Sequence, residues 1–319
     1  MSMGWAETTI KCCVCGVLGA KHWRRAGDHL LGGPRCFNAV KCIRCGTVRL
    51  DPRPSEDAMG KHYAPNTYAR AECDSGSSGL AVRLQYVADN LATRMEKAYG
   101  EANRCSFLDV GCGDGRVMAA MSRSGWSVTG VETDAVAAKI AAERTGANVH
   151  LGSIHTLEAE ADTYDLIAFV HCLEHVVDPR KDLQRAVQLL RPGGTIYVVI
   201  PNVDCAEADF FGSCWYALDL PRHYWGFTPR SLQRILEETG FSLTQTHYQP
   251  LVNTLQSFRY VLRAVSGKPL GSQEDGATGR NDTPKSLRTK LFTGQQKVSD
   301  TLGKLFQGEV MEIAALKPE

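Results

Sequence analysis

The chain has 319 residues, 43% of them hydrophobic, enough for one large core with material left for a smaller module. A formal net charge of +1 argues against a protein whose whole surface is an electrostatic glove for nucleic acid or an anionic membrane. No apolar run reaches the roughly 18 residues needed to span a bilayer, and the opening stretch MSMGWAETTIKCCVCG lacks the apolar core of a signal peptide, so a soluble, cytoplasmic protein is expected.

Residues 1–60 are rich in Cys, Gly, Arg and Pro and hold too few apolar residues for a conventional core. Twelve cysteines in a mid-sized chain without an export signal read as thiols or metal ligands, not disulfides. Cys12-x2-Cys15 and Cys42-x2-Cys45, each followed by glycine, offer four thiolates from two tight turns, the donor set of a tetrahedral structural zinc site. Cys13 and Cys36 stand near as substitute ligands, but neither completes a knuckle. A zinc ribbon is therefore expected over 1–60. It reads either as a folding staple or as a grip on a substrate or partner, and its nine Lys/Arg against five Asp/Glu mildly suit an anionic partner or form a solvated basic face.

A linker and covering helix are expected over 61–104, the helix at 79–100, where Leu80, Leu84, Val87, Leu91 and Met95 recur at helical spacing. From 105 to 319 strands and helices alternate. The predicted strands are FLDVG, VTGVE, NVHLG, YDLIAFV and TIYVVIP, and the helices between them start near 115, at DAVAAKIAAERTG and at DPRKDLQRAVQLL. Asp178-Pro179 caps the last of these helices and RPGG closes it. Thr228-Pro229 opens one more helix, followed by strand FSLTQTHYQ and a final strand at 309–316. Continuous apolar strands alternating with helices predict an α/β fold, a doubly wound, mostly parallel sheet covered on both faces. An insertion of helical character lies at about 251–307, with Leu251, Leu255, Phe258, Leu262 and Val265 on one face, read as ordinary packing. Its Gly-rich remainder reads as a loop.

The chemistry concentrates in FLDVGCGDGRV. A strand, a glycine turn and a helix start bring backbone N–H groups next to a ligand, and only glycine lets the main chain approach so closely. The loop reads Asp109-x-Gly111-x-Gly113-x-Gly115, which departs from the dinucleotide fingerprint G-x-G-x-x-G. A leading carboxylate repels a pyrophosphate and welcomes an ammonium group, and Glu132 ends the next strand where it can accept both ribose hydroxyls. An amino-acid-bearing nucleoside is favoured over a dinucleotide.

These residues, with YDLIAFVHCLEHVVDP, LLRPGGTIYVVIPN and RHYWGFTPRSLQRILEETGF in order and spacing, resemble the class I S-adenosylmethionine-dependent methyltransferases over roughly 105–250. The alternative of a Rossmann-like dehydrogenase fits the loop less well. The resemblance implies a seven-stranded Rossmann-like sheet and S-adenosylmethionine as cofactor. It implies Asp109, Gly111, Cys112, Gly113 and Gly115 at the methionine end, Glu132 and Thr133 at the ribose, Ser153 and Ile154 at the adenine, and Val170, His171, Cys172 and Leu173 in the floor beside the sulfonium. Ser153 stands where many relatives carry Asp. Tyr63 and Tyr68, in the linker, fold over the cofactor in such relatives or are core aromatics.

Methyl transfer is an in-line displacement in which the enzyme supplies alignment, plus a base where the nucleophile carries a proton. His223 is the preferred base, because it falls in the loop after the fifth strand, over the carboxyl ends of the sheet. In the sugar methyltransferases this segment resembles, a histidine here follows a glutamate, whereas this chain has Arg222. Packing of His223 against Tyr224 and Trp225 is the competing reading. Glu174 and His175 are further catalytic candidates, read as ordering the cofactor floor. The match of His171-x-x-Glu174-His175 to a zinc-protease pattern is accidental, since it follows a strand instead of lying within a helix.

The expected function is S-adenosylmethionine-dependent methyl transfer to O, N or C of a small molecule, sugar-like or a secondary metabolite, with structural zinc. The alternatives are a zinc-ribbon RNA methyltransferase and a non-catalytic zinc- and nucleoside-binding partner subunit. With the mild charge surplus, a nucleic acid acceptor is not favoured and no membrane partner is expected.

Overall fold

A computed structural model describes residues 10–63, 79–100, 105–249, 253–266 and 308–319. Tyr68, Leu251 and the Gly-rich part of the insertion lie outside them. Three strands come first, β1 (Ala20–Gly27), β2 (Cys36–Cys42) and β3 (Val48–Leu50), then the short helix α1 (Glu56–Gly60) and the long helix α2 (Gly79–Tyr99). The alternating part follows as β4 (Ser106–Val110), α3 (Arg116–Arg123), β5 (Ser127–Glu132), α4 (Ala135–Thr145), β6 (Asn148–Leu151), β7 (Tyr164–Val170), α5 (Pro179–Leu189) and β8 (Leu190–Pro201). After it come α6 (Ala206–Phe211), β9 (Trp225–Gly226), α7 (Pro229–Glu238), β10 (Ser242–Gln249), α8 (Thr254–Ser266) and β11 (Val310–Leu316).

Seven strands form one sheet in the order β10-β11-β8-β7-β4-β5-β6. The run from β6 to β8 is parallel, and β11 is antiparallel to both of its neighbours. The central strands bury both faces. Along β8, Ile196, Val198 and Ile200 face one hydrophobic cluster, while Tyr197 and Val199 face the other. This is what continuous apolar strands require, and it leaves the carboxyl ends of β4, β5, β7 and β8 as the edge where loops can build a site.

The helix signals act as expected. Asp178 accepts the Lys181 N–H at the start of α5, and Thr228 with Ser231 forms a reciprocal capping box at the start of α7. Of the expected inner face of α2, Leu91 and Met95 are buried together with Ala88 and Ala92, Leu84 is half-buried, and Val87 is 42% exposed; the side chain of Leu80 lies outside the description. The helix in the insertion is a larger correction. Leu255, Leu262 and Val265 face outward among the described residues, and of the described part of the stripe Phe258 alone packs, half-exposed. Helix α8 is seated by buried Ser257, by Phe258 against Phe210 and Phe211, and by Tyr260 against His29 and Tyr216.

The first sixty residues also hold a surprise. Strands β1, β2 and β3 form a small antiparallel sheet whose fourth strand is β9, drawn from residues 225–226. Ala26, Phe37, Ala39, Val48 and Leu50 belong to the same apolar cluster as one face of the large sheet. Shared burial replaces the core that this segment is too small to build alone. Part of its basic surplus is paired across the same junction, Arg24 with Asp209 at 3.2 Å and Lys41 with Asp204 at 3.1 Å.

Candidate active site

The glycine loop follows β4. Gly111, Gly113 and Gly115 all have positive φ, at 73°, 52° and 76°, a conformation that side chains disfavour. Two of them are also enforced by contact. A Cβ at Gly111 would lie 2.6 Å from Cys172 Sγ, and one at Gly115 would lie 2.8 Å from the Cα of Ala141. Around a Cβ at Gly113, by contrast, no atom lies within 4 Å, so the loop presents bare backbone there. Glu132 organises the rim: Oε2 accepts the Gly113 N–H at 2.9 Å, and Oε1 accepts those of Thr133 at 2.7 Å and Asp134 at 2.9 Å.

Asp109 is buried, and its Oδ1 has no hydrogen-bond partner among the described residues. Burial, and then the charges of Glu132 and Asp114, push its carboxyl up to about 7. An orphaned acidic oxygen under a bare glycine turn fits the ammonium of an amino-acid-bearing nucleoside. On the adenine side the fit is less direct. Ser153 Oγ accepts the His155 N–H at 3.3 Å, and the Ile154 side chain is buried in the core, leaving its backbone as the part that can meet a base.

A second group gathers beyond β7 and β8. His171 ends β7 with a φ of 51°, rare for a residue with a Cβ, and its Nδ1 lies 3.5 Å from Glu174 Oε1. That separation is long for a hydrogen bond. Among the described residues neither oxygen of the buried Glu174 accepts a hydrogen bond. Burial opposes its charge, but the His171 contact and the charges of His175 and His223 outweigh it and hold the carboxyl below its usual range. Glu174, His175 and His223 each present a side-chain atom within 4.8 Å of the others.

The two histidine rings meet edge to face, their centroids 4.6 Å apart. His223 Nδ1 lies 2.9 Å from the carbonyl of Ala217. A carbonyl only accepts, so the proton sits on Nδ1 and Nε2 carries the lone pair. His175 Nδ1 is 3.2 Å from the Arg222 carbonyl and also 3.2 Å from the Tyr63 hydroxyl. The His175 imidazole is held down to about 4, first by burial and then by His223.

The loops are tied together. Trp225 donates its backbone N–H to the Glu174 carbonyl at 3.0 Å and its indole N–H to Val176 at 3.1 Å. Arg222 is fully buried between Asp28 and Asp219. Composition gave no hint of that pairing, although Asp219 and Arg222, charged residues three apart in an apolar segment, were its visible trace.

At the other end of the small sheet, the Sγ atoms of Cys12, Cys15, Cys42 and Cys45 all lie within 4.8 Å of one another. Each knuckle closes by a glycine N–H, Gly16 onto the Cys12 carbonyl at 2.9 Å and Gly46 onto that of Cys42 at 3.1 Å. Both glycines have positive φ. Cys13 and Cys36 stay outside the cluster, and no described cysteine is in a disulfide.

A family model described as a methyltransferase domain matches residues 80–246, more than half of the chain. The chain belongs to that family, the class I S-adenosylmethionine-dependent methyltransferases. This methyltransferase is 30% identical over 190 residues to the ubiquinone biosynthesis O-methyltransferase of Chelativorans sp. (strain BNC1), covering 54% of this chain and 75% of the relative. It is 27% identical over 194 residues to the protein of the same name from Coxiella burnetii (strain Dugway 5J108-111), covering 56% and 79%. Among solved structures, a chain of the complex between the Haloferax volcanii Trm112 methyltransferase activator and a methyltransferase superposes with a TM-score of 0.52 at 14% identity, covering 79% of this chain and 94% of that one. The cyclase SpnF superposes with a TM-score of 0.51 at 14% identity, covering 84% and 98%. At such identities the two structures share the fold alone. The methyl donor is S-adenosylmethionine, and no described helix is long and apolar enough to cross a membrane.

Proposed function

We propose that the enzyme methylates a hydroxyl oxygen of a small molecule, with His223 as general base. The observation that carries this is the Nδ1–Ala217 contact at 2.9 Å, which leaves the Nε2 lone pair to take a proton at the carboxyl edge of the sheet. The matched relatives, named O-methyltransferases of ubiquinone biosynthesis, support oxygen over nitrogen or carbon. S-adenosylmethionine, when bound, supplies an electrophilic methyl on its sulfonium. Asp109 would hold its ammonium, Glu132 its ribose, and the backbone at Gly113 its methionine end. Nε2 of His223 would take the proton of the acceptor hydroxyl, while the cofactor would supply the methyl to that oxygen and leave as the neutral thioether. The resulting imidazolium is steadied by buried Glu174 and by Asp219, whose Oδ2 is 4.0 Å from Nε2.

The four clustered thiols support a structural zinc. Zinc–sulfur bonds of about 2.3 Å set tetrahedral sulfurs roughly 3.8 Å apart, close to the 3.4 Å and 3.5 Å found for Cys12–Cys45 and Cys15–Cys42. A second reading of the other cluster is favoured by the unpartnered oxygens of Glu174: with His175 and His223 it would hold a divalent cation that orients the acceptor oxygen.

The test is transfer of labelled methyl from S-adenosylmethionine into fractionated cell extract. Label in the low-mass fraction, absent with His223→Ala, supports the proposal. Label in a ribonuclease-sensitive fraction overturns the small-molecule acceptor, and activity that appears only on adding Mg2+ or Mn2+ favours the cation reading.

A further inference from the structure

His223 is carried by a loop that the large sheet alone does not fix. From residue 219 to 226 the chain is held by the N-terminal segment as well as by the loop after β7. The Leu50 N–H donates to the Tyr224 carbonyl at 3.0 Å, and β9 pairs with β3 directly afterwards. The residue before His223 makes the deepest tie. Arg222 is buried to 0% exposure, and its NH1 and NH2 each donate to Asp28 at 2.9 Å, one to each carboxylate oxygen. Its Nε and NH2 also donate to Asp219, and NH1 reaches the His62 carbonyl at 3.2 Å. Asp28 is 2% exposed and is itself fixed by the N–H groups of Leu30 and Leu31 and by His62 Nδ1 at 2.8 Å.

The planar guanidinium thus locks two carboxylates that come from positions 191 residues apart, on a two-pronged geometry that a lysine cannot match. The other end of Arg222 touches the site: its carbonyl meets His175 Nδ1, and His175 packs on His223. The next residues of the N-terminal segment reach the same place, Tyr63 placing its hydroxyl 3.2 Å from His175 Nδ1.

We infer that Asp28 and Arg222 are positioning residues for methyl transfer: the ion pair couples the N-terminal module to the His175–His223 pair, so that the module is part of the frame of the active site and not a detached staple. The pair itself touches no reacting atom. It fixes the carbonyl to which His175 is bonded and the start of the residue that carries Nε2. This inference rests on the proposed role of His223, but the geometry it concerns is measurable without any acceptor.

The experiment uses the full chain as Asp28→Asn and Arg222→Lys, the second retaining the charge should the first fail to fold. Side-chain 15N shifts of His175 and His223 are recorded with S-adenosylhomocysteine bound, and kcat and KM are measured with the acceptor recovered from extract. The expected result is a mixed or inverted tautomer signature at both imidazoles and kcat lower by roughly ten- to a hundred-fold, as misplacement by about 1 Å produces, with S-adenosylhomocysteine affinity within about twofold. Asp28→Glu is expected to recover part of kcat. Unchanged imidazole shifts in both folded variants overturn the inference, whatever the activity. Altered shifts with unaltered kcat leave the coupling in place and instead overturn His223 as the base.

Discussion

His175 and His223 are each bonded through Nδ1 to a backbone carbonyl, Arg222 and Ala217 respectively, so that two edge-to-face rings 4.6 Å apart are both locked by main chain. The arrangement is acid-sensitive. His175 titrates near 4 in the folded protein, held down by burial and by His223, against roughly 6.5 in an unfolded chain. As pH falls below about 6.5 the unfolded chain takes up the proton first, so folded stability is lost through the window from about 6.5 down to 4, by up to about 3 kcal/mol. Urea denaturation of wild type and His175→Gln at pH 7 and pH 5 checks this: the variant is expected to lose less stability over that interval.

Asp109 behaves in the opposite sense. Its folded carboxyl is raised to about 7, so the stability it contributes without cofactor is fully present below about 3.9 and is lost as pH rises through 7. A bound ammonium favours the ionised form. S-adenosylhomocysteine affinity is therefore expected to strengthen between pH 5.5 and 7.5 with release of up to one proton, measured by calorimetry in buffers of different ionisation enthalpy. Asp109→Asn is expected to remove the pH dependence.

Glu132 takes three N–H donors from Gly113, Thr133 and Asp134 besides its proposed ribose contact. Glu132→Ala is expected to weaken S-adenosylhomocysteine binding by about 2–3 kcal/mol, roughly thirty- to over a hundred-fold. Unchanged affinity by calorimetry contradicts the cofactor assignment.

Much of this fold was legible in the sequence because its signals are local. Capped helices such as α5 and α7 and the apolar strands at 106–110, 164–170 and 195–201 need only a few adjacent residues to declare themselves. The glycine loop was legible for the same reason, since its φ values and contacts demand glycine. What the sequence hid is non-local. Nothing near Arg222 announces Asp28 as its partner, and nothing in Trp225-Gly226 announces a strand of the cysteine module, because both depend on how distant segments meet. The outward stripe of α8 was misread for a related reason: periodicity identifies a face, not what lies against it.

Gly115 makes a sharp stability test of the loop. Adding a methyl there meets Ala141 at 2.8 Å in a positive-φ backbone. Gly115→Ala is expected to lower unfolding free energy by about 2–4 kcal/mol, seen as a fall in Tm, whereas Gly113→Ala, with no atom near, is expected to cost only the roughly 1–2 kcal/mol of its φ.

For the thiol cluster, elemental analysis of purified protein is expected to give about one zinc per chain, as a four-ligand site requires. Cys45→Ser is expected to lower both zinc content and Tm. Zinc-free protein after mild purification contradicts the assignment.

The most direct measurement of the central claim is kcat of His223→Asn with the recovered acceptor at saturating S-adenosylmethionine, alongside S-adenosylhomocysteine affinity. Loss of a general base predicts a fall in kcat of roughly 10²- to 10⁴-fold with cofactor affinity unchanged. A variant that turns over within threefold of wild type contradicts His223 as the base and removes the mechanism built on it.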